Sequence, residues 1–140
     1  MDQKQLSTTK NIRSKRTWPD DDSRWEKNSP AEIEIGNSKL MLAEEFPEMN
    51  SLSPKTIGGS PVGLFLYVDD VDKIVNQAVA EGAKVLMEVE DQFWGDRYGS
   101  IEDPFGHRWS ISTHIEDLTE EELKKAAEDA FAKMSENKPN

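Results

Sequence analysis

The chain predicts an α+β fold: a curved sheet of βαβββ order with one helix on its outer face and a second helix at the C-terminal end. Three observations carry that class. A nearly continuous apolar run, Val62-Gly63-Leu64-Phe65-Leu66-Tyr67-Val68, leads into a stretch of helical periodicity. A tight-turn signal, Asp103-Pro104-Phe105-Gly106, separates two aromatic-rich runs of strand length. A capping-box sequence then opens an amphipathic helix after residue 118.

Taken in order, residues 1–30 show neither a helical nor a strand period, and they read as an irregular or disordered leader. Trp18 and Trp25 stand out in it. In Ala31-Glu32-Ile33-Glu34-Ile35 apolar and charged residues alternate, as in a half-buried strand. Gly36-Asn37-Ser38 supplies a turn, and residues 39–43 return as the second strand of a hairpin. Residues 44–60 contain Pro47, Pro54, Gly58 and Gly59 and read as a long loop.

The strand at 62–68 is followed by Asp69-Asp70, an acidic N-cap suited to the positive end of a helix dipole. Val71, Ile74, Val75, Ala78 and Val79 then recur at helical spacing, and Gly82 suits the C′ position. Residues 84–89 form the next strand. The helix between these two strands requires a crossover, so they run parallel. At the turn, proline presets one backbone angle and Gly106 permits a positive φ, so the flanking strands are 98–102 and 107–113. In the last helix Thr119 is the cap, Glu122 closes the box, and Leu123, Ala126, Ala127, Ala130, Phe131 and Met134 make the apolar stripe. That stripe either packs on its own sheet, the preferred reading, or forms a dimer contact. The organisation is therefore a leader at 1–30, a domain at 31–118 (31–43 and 62–113 being its two parts), and a helix and tail at 119–140.

The totals exclude several function classes. The net charge is −11, which repels a phosphate backbone and argues against general nucleic-acid binding. Residues 1–30 carry seven Lys/Arg and five Asp/Glu, so the other 110 carry −13. No stretch is long enough to span a bilayer, and the N-terminus lacks the apolar centre of a signal peptide. With no cysteine, disulfides and thiolate metal sites are ruled out, and a cytoplasmic location is expected. There is no P-loop, dinucleotide-binding glycine motif or Ser-His-Asp arrangement.

The segment 91–111 crowds aromatic and ionisable side chains around two turns, the composition of a pocket wall. Arg97 lies among Phe93, Trp94 and Tyr98. It has two readings: a fork that orients a carboxylate or phosphate, or a surface partner of Asp96 or Glu102. Trp94 and Trp109 are candidates for the lining, with Trp109 the better core residue. Glu102 and Asp103 are adjacent and face opposite sides, which makes them a poor acid/base pair. His107 and His114 are seven apart and point oppositely from a straight strand, so they do not share one ion. His107 reads as a turn or surface residue, and His114 stays open.

Several of these segments together resemble the vicinal-oxygen-chelate superfamily, the glyoxalase, bleomycin-resistance and extradiol-dioxygenase group. They are Val68-Asp69-Asp70-Val71-Asp72, Glu81-Gly82-Ala83, Gly95-Asp96-Arg97 and Glu102-Asp103-Pro104-Phe105-Gly106-His107-Arg108-Trp109. The segments at 31–38, 44–48 and 53–60 are similar to its PhnB-like branch. The resemblance implies two βαβββ modules closing a cup, frequent homodimers, and a divalent ion that chelates substrate oxygens as a Lewis acid. Two departures stand out. The strand and helix expected before Ala31 have no recognisable counterpart, so the first module reads as truncated, and a partner chain or a reduced, marginal fold is implied. The resemblance also places metal ligands at Pro30, Phe65 and Ser110, and none of these is an ordinary strong ligand. The expectation is a metal-free protein, without cofactor, that binds a small organic molecule through Phe65, Trp94, Arg97 and Tyr98. Its catalytic residues, if any, are not identifiable. The alternatives are a metal-dependent lyase or dioxygenase-like enzyme whose ligands come from a partner chain, and a degenerate member without activity.

Overall fold

The computed structural model describes residues 12–15 and 31–136, with no side-chain description at 12–15, Ala31 and Glu136. The chain divides into two compact units, residues 1–60 and 61–140.

The first unit holds a three-stranded antiparallel sheet of order β1-β2-β3, with β1 at Ile12–Lys15, β2 at Ala31–Ile35 and β3 at Ser38–Leu42. The β2–β3 hairpin forms as its alternation predicts. Ile35 pairs with Ser38 across Gly36-Asn37, and Gly36 takes φ +62°. Ile33 is the buried residue of this sheet, and Lys39 reaches Glu32 at 2.9 Å on its margin. The stretch read as an irregular leader thus contains a strand: Ile12 pairs with Ile35 and Lys15 with Glu32. Four residues are too few for a periodic signal, and pairing with β2 supplies the order that local sequence lacks. Trp18, Trp25 and Pro30 lie outside the described residues.

The loop at 44–60 contains two single turns. A 3₁₀ turn spans Pro47–Met49, and α1 spans Pro54–Ile57. Ser53 caps α1 through the Thr56 amide, Pro54 stands in its first turn, and Gly58 ends it at φ +89°. The Glu45 carboxylate accepts from the Ser53 amide and the Thr56 hydroxyl, which pins the loop across its width and holds that carboxyl below its ordinary pKa.

The second unit is the βαβββ arrangement. It comprises β4 (Gly63–Tyr67), α2 (Val71–Ala80), β5 (Lys84–Asp91), β6 (Asp96–Glu102) and β7 (Arg108–His114), followed by α3 (Glu120–Glu136). The mixed, curved sheet has the order β4-β7-β6-β5. β4 lies parallel to β7, and the other two pairings are antiparallel. β4 and β5 therefore run the same way, as the crossover requires, but at opposite edges of the sheet. Register shifts break the β5–β6 ladder around Met87. There Val89 packs so close to Gly99 that a Cβ at 99 would meet its Cγ2 at 2.8 Å.

The caps form as their residues dictate. Asp70 accepts from the Lys73 amide, and Gly82 follows α2 at φ +99°. Gly106 takes φ +93°, while Asp103 accepts from the amides of Phe105 and His107 and from Trp109 Nε1. The turn carboxylate is structural, as its position beside Pro104 suggests. Thr119 and Glu122 bond reciprocally at the start of α3. The preferred reading of the α3 stripe is corrected. Among the described residues no strand or other helix of this unit lies against α3, and Leu123, Phe131 and Met134 are exposed. Its described ring contact is Phe131 on Phe93, at 6.2 Å between centroids.

Candidate functional site

Strand alternation sorts the second unit's side chains onto two faces. Toward α2 point Trp109 and Ile111 of β7 and Ile101 of β6, buried with Val71 and Val75. Thr113, next in that column, accepts from the Val71 amide at 2.8 Å and so satisfies one free N–H of the helix start. Arg97 lies opposite Thr113 and belongs to the same face. Its Nε and Nη2 grip the two oxygens of Asp72 at 2.7 and 2.8 Å, and its Nη1 reaches Asp91 at 2.8 Å. The fork that sequence offered to a ligand is filled by α2, with Asp72 rather than Asp96 or Glu102 as its partner. Asp72 is held below its usual carboxylate range by that bond, and Arg97 is held further above its own.

The other face is aromatic and hydroxylic. Central β7 contributes Ser110, Ser112 and His114. Phe65 and Tyr67 lie beside Ser110 and Ser112 on β4, and Ser100, Tyr98 and Asp96 lie beside the three on β6. Because the middle strand carries small side chains, large ones from both flanks reach over it. The Tyr98 hydroxyl meets Ser110 Oγ at 2.9 Å, and its ring stacks on Phe65 at 6.1 Å. Tyr67 crosses β7 to donate to Asp96 Oδ2 at 2.8 Å. Trp94 donates to the same oxygen at 3.2 Å and meets Tyr98 edge-on at 6.0 Å. Phe65 also touches Tyr67 at 5.2 Å, which makes one strip of rings: Tyr67, Phe65, Tyr98, Trp94. Phe65 is 52% exposed and Tyr67 65% exposed, so the strip presents ring surface to solvent. Under it the Ser112 hydroxyl is fully buried without a hydrogen-bond partner.

Asp96 anchors this face. It is buried, and it holds Tyr67 and Trp94 on one oxygen and His114 Nδ1, at 3.0 Å, on the other. Burial drives its carboxyl pKa up, but the bonds from His114, Tyr67 and Trp94 outweigh that and leave it below its ordinary value. The same bond to Asp96, helped by Asp117 on Nε2, raises His114, and Asp96 raises the Tyr67 phenol.

Of the four residues read from sequence as a lining, the structure brings Phe65, Trp94 and Tyr98 together and puts Arg97 on the opposite face. Tyr67, Asp96, Ser112 and His114 went unread as members of the site. Parity within each strand was the available signal: Phe65/Tyr67, Asp96/Tyr98 and Ser110/Ser112/His114 are all i, i+2 sets.

The chain matches the Glyoxalase/Bleomycin resistance protein/Dioxygenase superfamily over residues 22–111. It belongs to that superfamily. It is similar to Mb0911c, an uncharacterized protein of Mycobacterium bovis, with 39% identity over 99 residues; the match covers 69% of this chain and 65% of that relative. The chain thus spans slightly less than two thirds of the relative's length. Two solved structures share the fold. A hypothetical protein of S. aureus, SA1046, superposes with TM-score 0.54 and 20% identity, covering 79% of this chain and 80% of that one. A glyoxalase/bleomycin resistance protein/dioxygenase family enzyme of Burkholderia phytofirmans superposes with TM-score 0.54 and 16% identity, covering 74% of this chain and 80% of that one.

The superfamily raises the question of a divalent ion, and the donor set can be tested against it. At two of the expected positions stand Phe65 and Ser110, paired side by side in register. Among the described residues no group of three His, Asp or Glu side chains converges to hold a metal. The His114–Asp96 pair does not start one, because both ring nitrogens already meet carboxylate oxygens. Neither Phe65 nor Ser110, the two expected positions that are described, offers a side chain that fits a catalytic ion.

Proposed function

We propose that this glyoxalase-superfamily chain, of PhnB-like type, binds a small organic molecule on the aromatic face of its second unit without a catalytic metal. The carrying observation is the strip of mutually tilted rings Tyr67–Phe65–Tyr98–Trp94 over a serine column, with Tyr67 and Trp94 at its ends bonded to Asp96 and Tyr98 bonded to Ser110. Rings fixed in this way stack on a flat ligand without losing side-chain freedom on binding. The hydroxyls of Tyr67, Tyr98 and Ser110 supply the few polar groups that orient a bound molecule. A role in sequestration, of the drug-resistance kind, requires nothing more than such a surface. The exposed stripe of α3 supports a homodimer as the working form.

The test is a titration of the whole chain with 2-naphthol, a flat bicyclic probe, before and after treatment with EDTA. Saturable binding that EDTA leaves unchanged, and that Phe65→Ala weakens about tenfold, is the expected result. Calorimetry with nickel, zinc and manganese runs in parallel. Tight stoichiometric uptake of any of them, or 2-naphthol binding that appears only with metal, overturns the proposal.

A further inference from the structure

His114 sits between two carboxylates. Its Nδ1 is 3.0 Å from Asp96 Oδ1, and its Nε2 is 2.9 Å from Asp117 Oδ1. An ionised carboxylate only accepts hydrogen bonds, and a neutral imidazole donates from one nitrogen only. Both contacts are satisfied together only when each nitrogen carries a proton, that is, by the imidazolium.

The two partners are unequal. Asp96 is buried and is fixed from its other oxygen by Tyr67 of β4 and by Trp94. Asp117 is fully exposed and belongs to the connector between β7 and α3. Removing one proton turns a nitrogen lone pair toward a carboxylate oxygen. Water replaces the exposed partner at little cost, whereas the buried one has no such exchange. Asp117 is therefore the side that lets go.

The connector has one further described fastening. The Gly95 carbonyl accepts from the amides of Ile115 and Glu116, each at 3.0 Å, and Gly95 sits so close that a Cβ there would collide with the Glu116 carbonyl oxygen. Beyond it α3 touches this unit through Phe131 on Phe93, and Phe93 meets Trp94 edge-on at 5.0 Å. Asp96 thus holds one end of the aromatic strip and, through His114, the root of α3.

We propose that His114 is a one-proton latch between the aromatic face and α3: the imidazolium ties Asp117 of the connector to Asp96, and the neutral ring releases Asp117 and leaves the connector on its two Gly95 bonds. The charged groups that face the ring are Asp96 from β6 and Asp117 from the connector, with the Tyr67 phenol on the far oxygen of Asp96. Both carboxylates favour the charged ring, so release falls above the ordinary histidine value. The latch is independent of whether the aromatic face takes a ligand.

Nuclear magnetic resonance of the whole chain, from about pH 5 to about pH 9, tests this across the histidine range. The expected His114 midpoint lies above the usual value of about 6.5. The amides of Ile115, Asp117 and Leu118 and the Phe131 ring should move with that same midpoint. Asp117→Asn should lower the midpoint and uncouple the connector amides from the ring. His114→Gln should abolish the step in those amides. Connector amides that stay fixed while His114 titrates, a step that survives in His114→Gln, or a midpoint that Asp117→Asn leaves unmoved would each refute the latch. Asp117→Asn alters an exposed side chain, so it reads out even if His114→Gln does not fold.

Discussion

The two faces of the β4-β7-β6-β5 sheet are built from neighbouring residues of the same strands, yet they do different things. Arg97 and Tyr98 are adjacent. One is locked to Asp72 of α2, and the other stacks on Phe65 in a strip open to solvent. Ile111 is buried beneath α2, while Ser110 beside it makes room for rings from both flanks. The difference teaches that, in this sheet, side-chain parity separates the side chains packed under α2 from the ring surface left open to solvent. The helix face holds the unit together, and the open face is the one the proposed binding uses.

That contrast can be broken first on the helix face. Ile111→Ala removes a core side chain that is 2% exposed and should cost about 2–5 kcal/mol in urea unfolding. Next is Gly95→Ala. Its φ of +91° and the collision with the Glu116 carbonyl should lower stability by about 1–3 kcal/mol, read as a fall in Tm. Arg97→Ala breaks the Asp72 fork. The pair is partly solvated, so the loss of stability should be the smallest of the three, and 2-naphthol affinity should not change. A large drop in affinity there would return Arg97 to the binding surface. Phe65→Ala is the mirror image: a stability change within about 0.5 kcal/mol, because the ring is half exposed, with weakened probe binding.

The open face also predicts a pH dependence with a sign on each side. Asp96 is depressed in the folded state, so its contribution is present above the unfolded value of 3.8 and is lost as pH falls through the lower folded value. His114 is raised, so its contribution is complete below 6.5 and is lost as pH rises through the higher folded value. Thermal unfolding across pH should therefore show a loss at the acid end that Asp96→Asn removes and a loss above 6.5 that His114→Gln removes.

Much of the fold could be read from local chemistry. The caps at Asp70 and Thr119, the turn at Asp103-Pro104-Phe105-Gly106 and the hairpin at Gly36-Asn37 are each written in a few adjacent residues. Strand β1 escaped because its order comes from pairing with β2, not from a pattern of its own. The site was half visible. Phe65, Trp94 and Tyr98 announce themselves as aromatics, but which face each residue takes depends on register. Register placed Arg97 opposite Thr113, under α2, and Tyr67 within reach of Asp96 across a strand that sequence order puts far away. The partners of Arg97 lie 25 and 6 residues off, and no local spacing names them.

The most direct test of the open face as the recognition surface is residue-resolved mapping of 2-naphthol on the whole chain in EDTA-treated buffer. The account predicts saturable shifts at Phe65, Tyr67, Trp94 and Tyr98, with Ile101, Arg97 and Ile111 on the helix face unmoved. Shifts concentrated on the helix face or on α3, or none until a divalent metal is added, would contradict it.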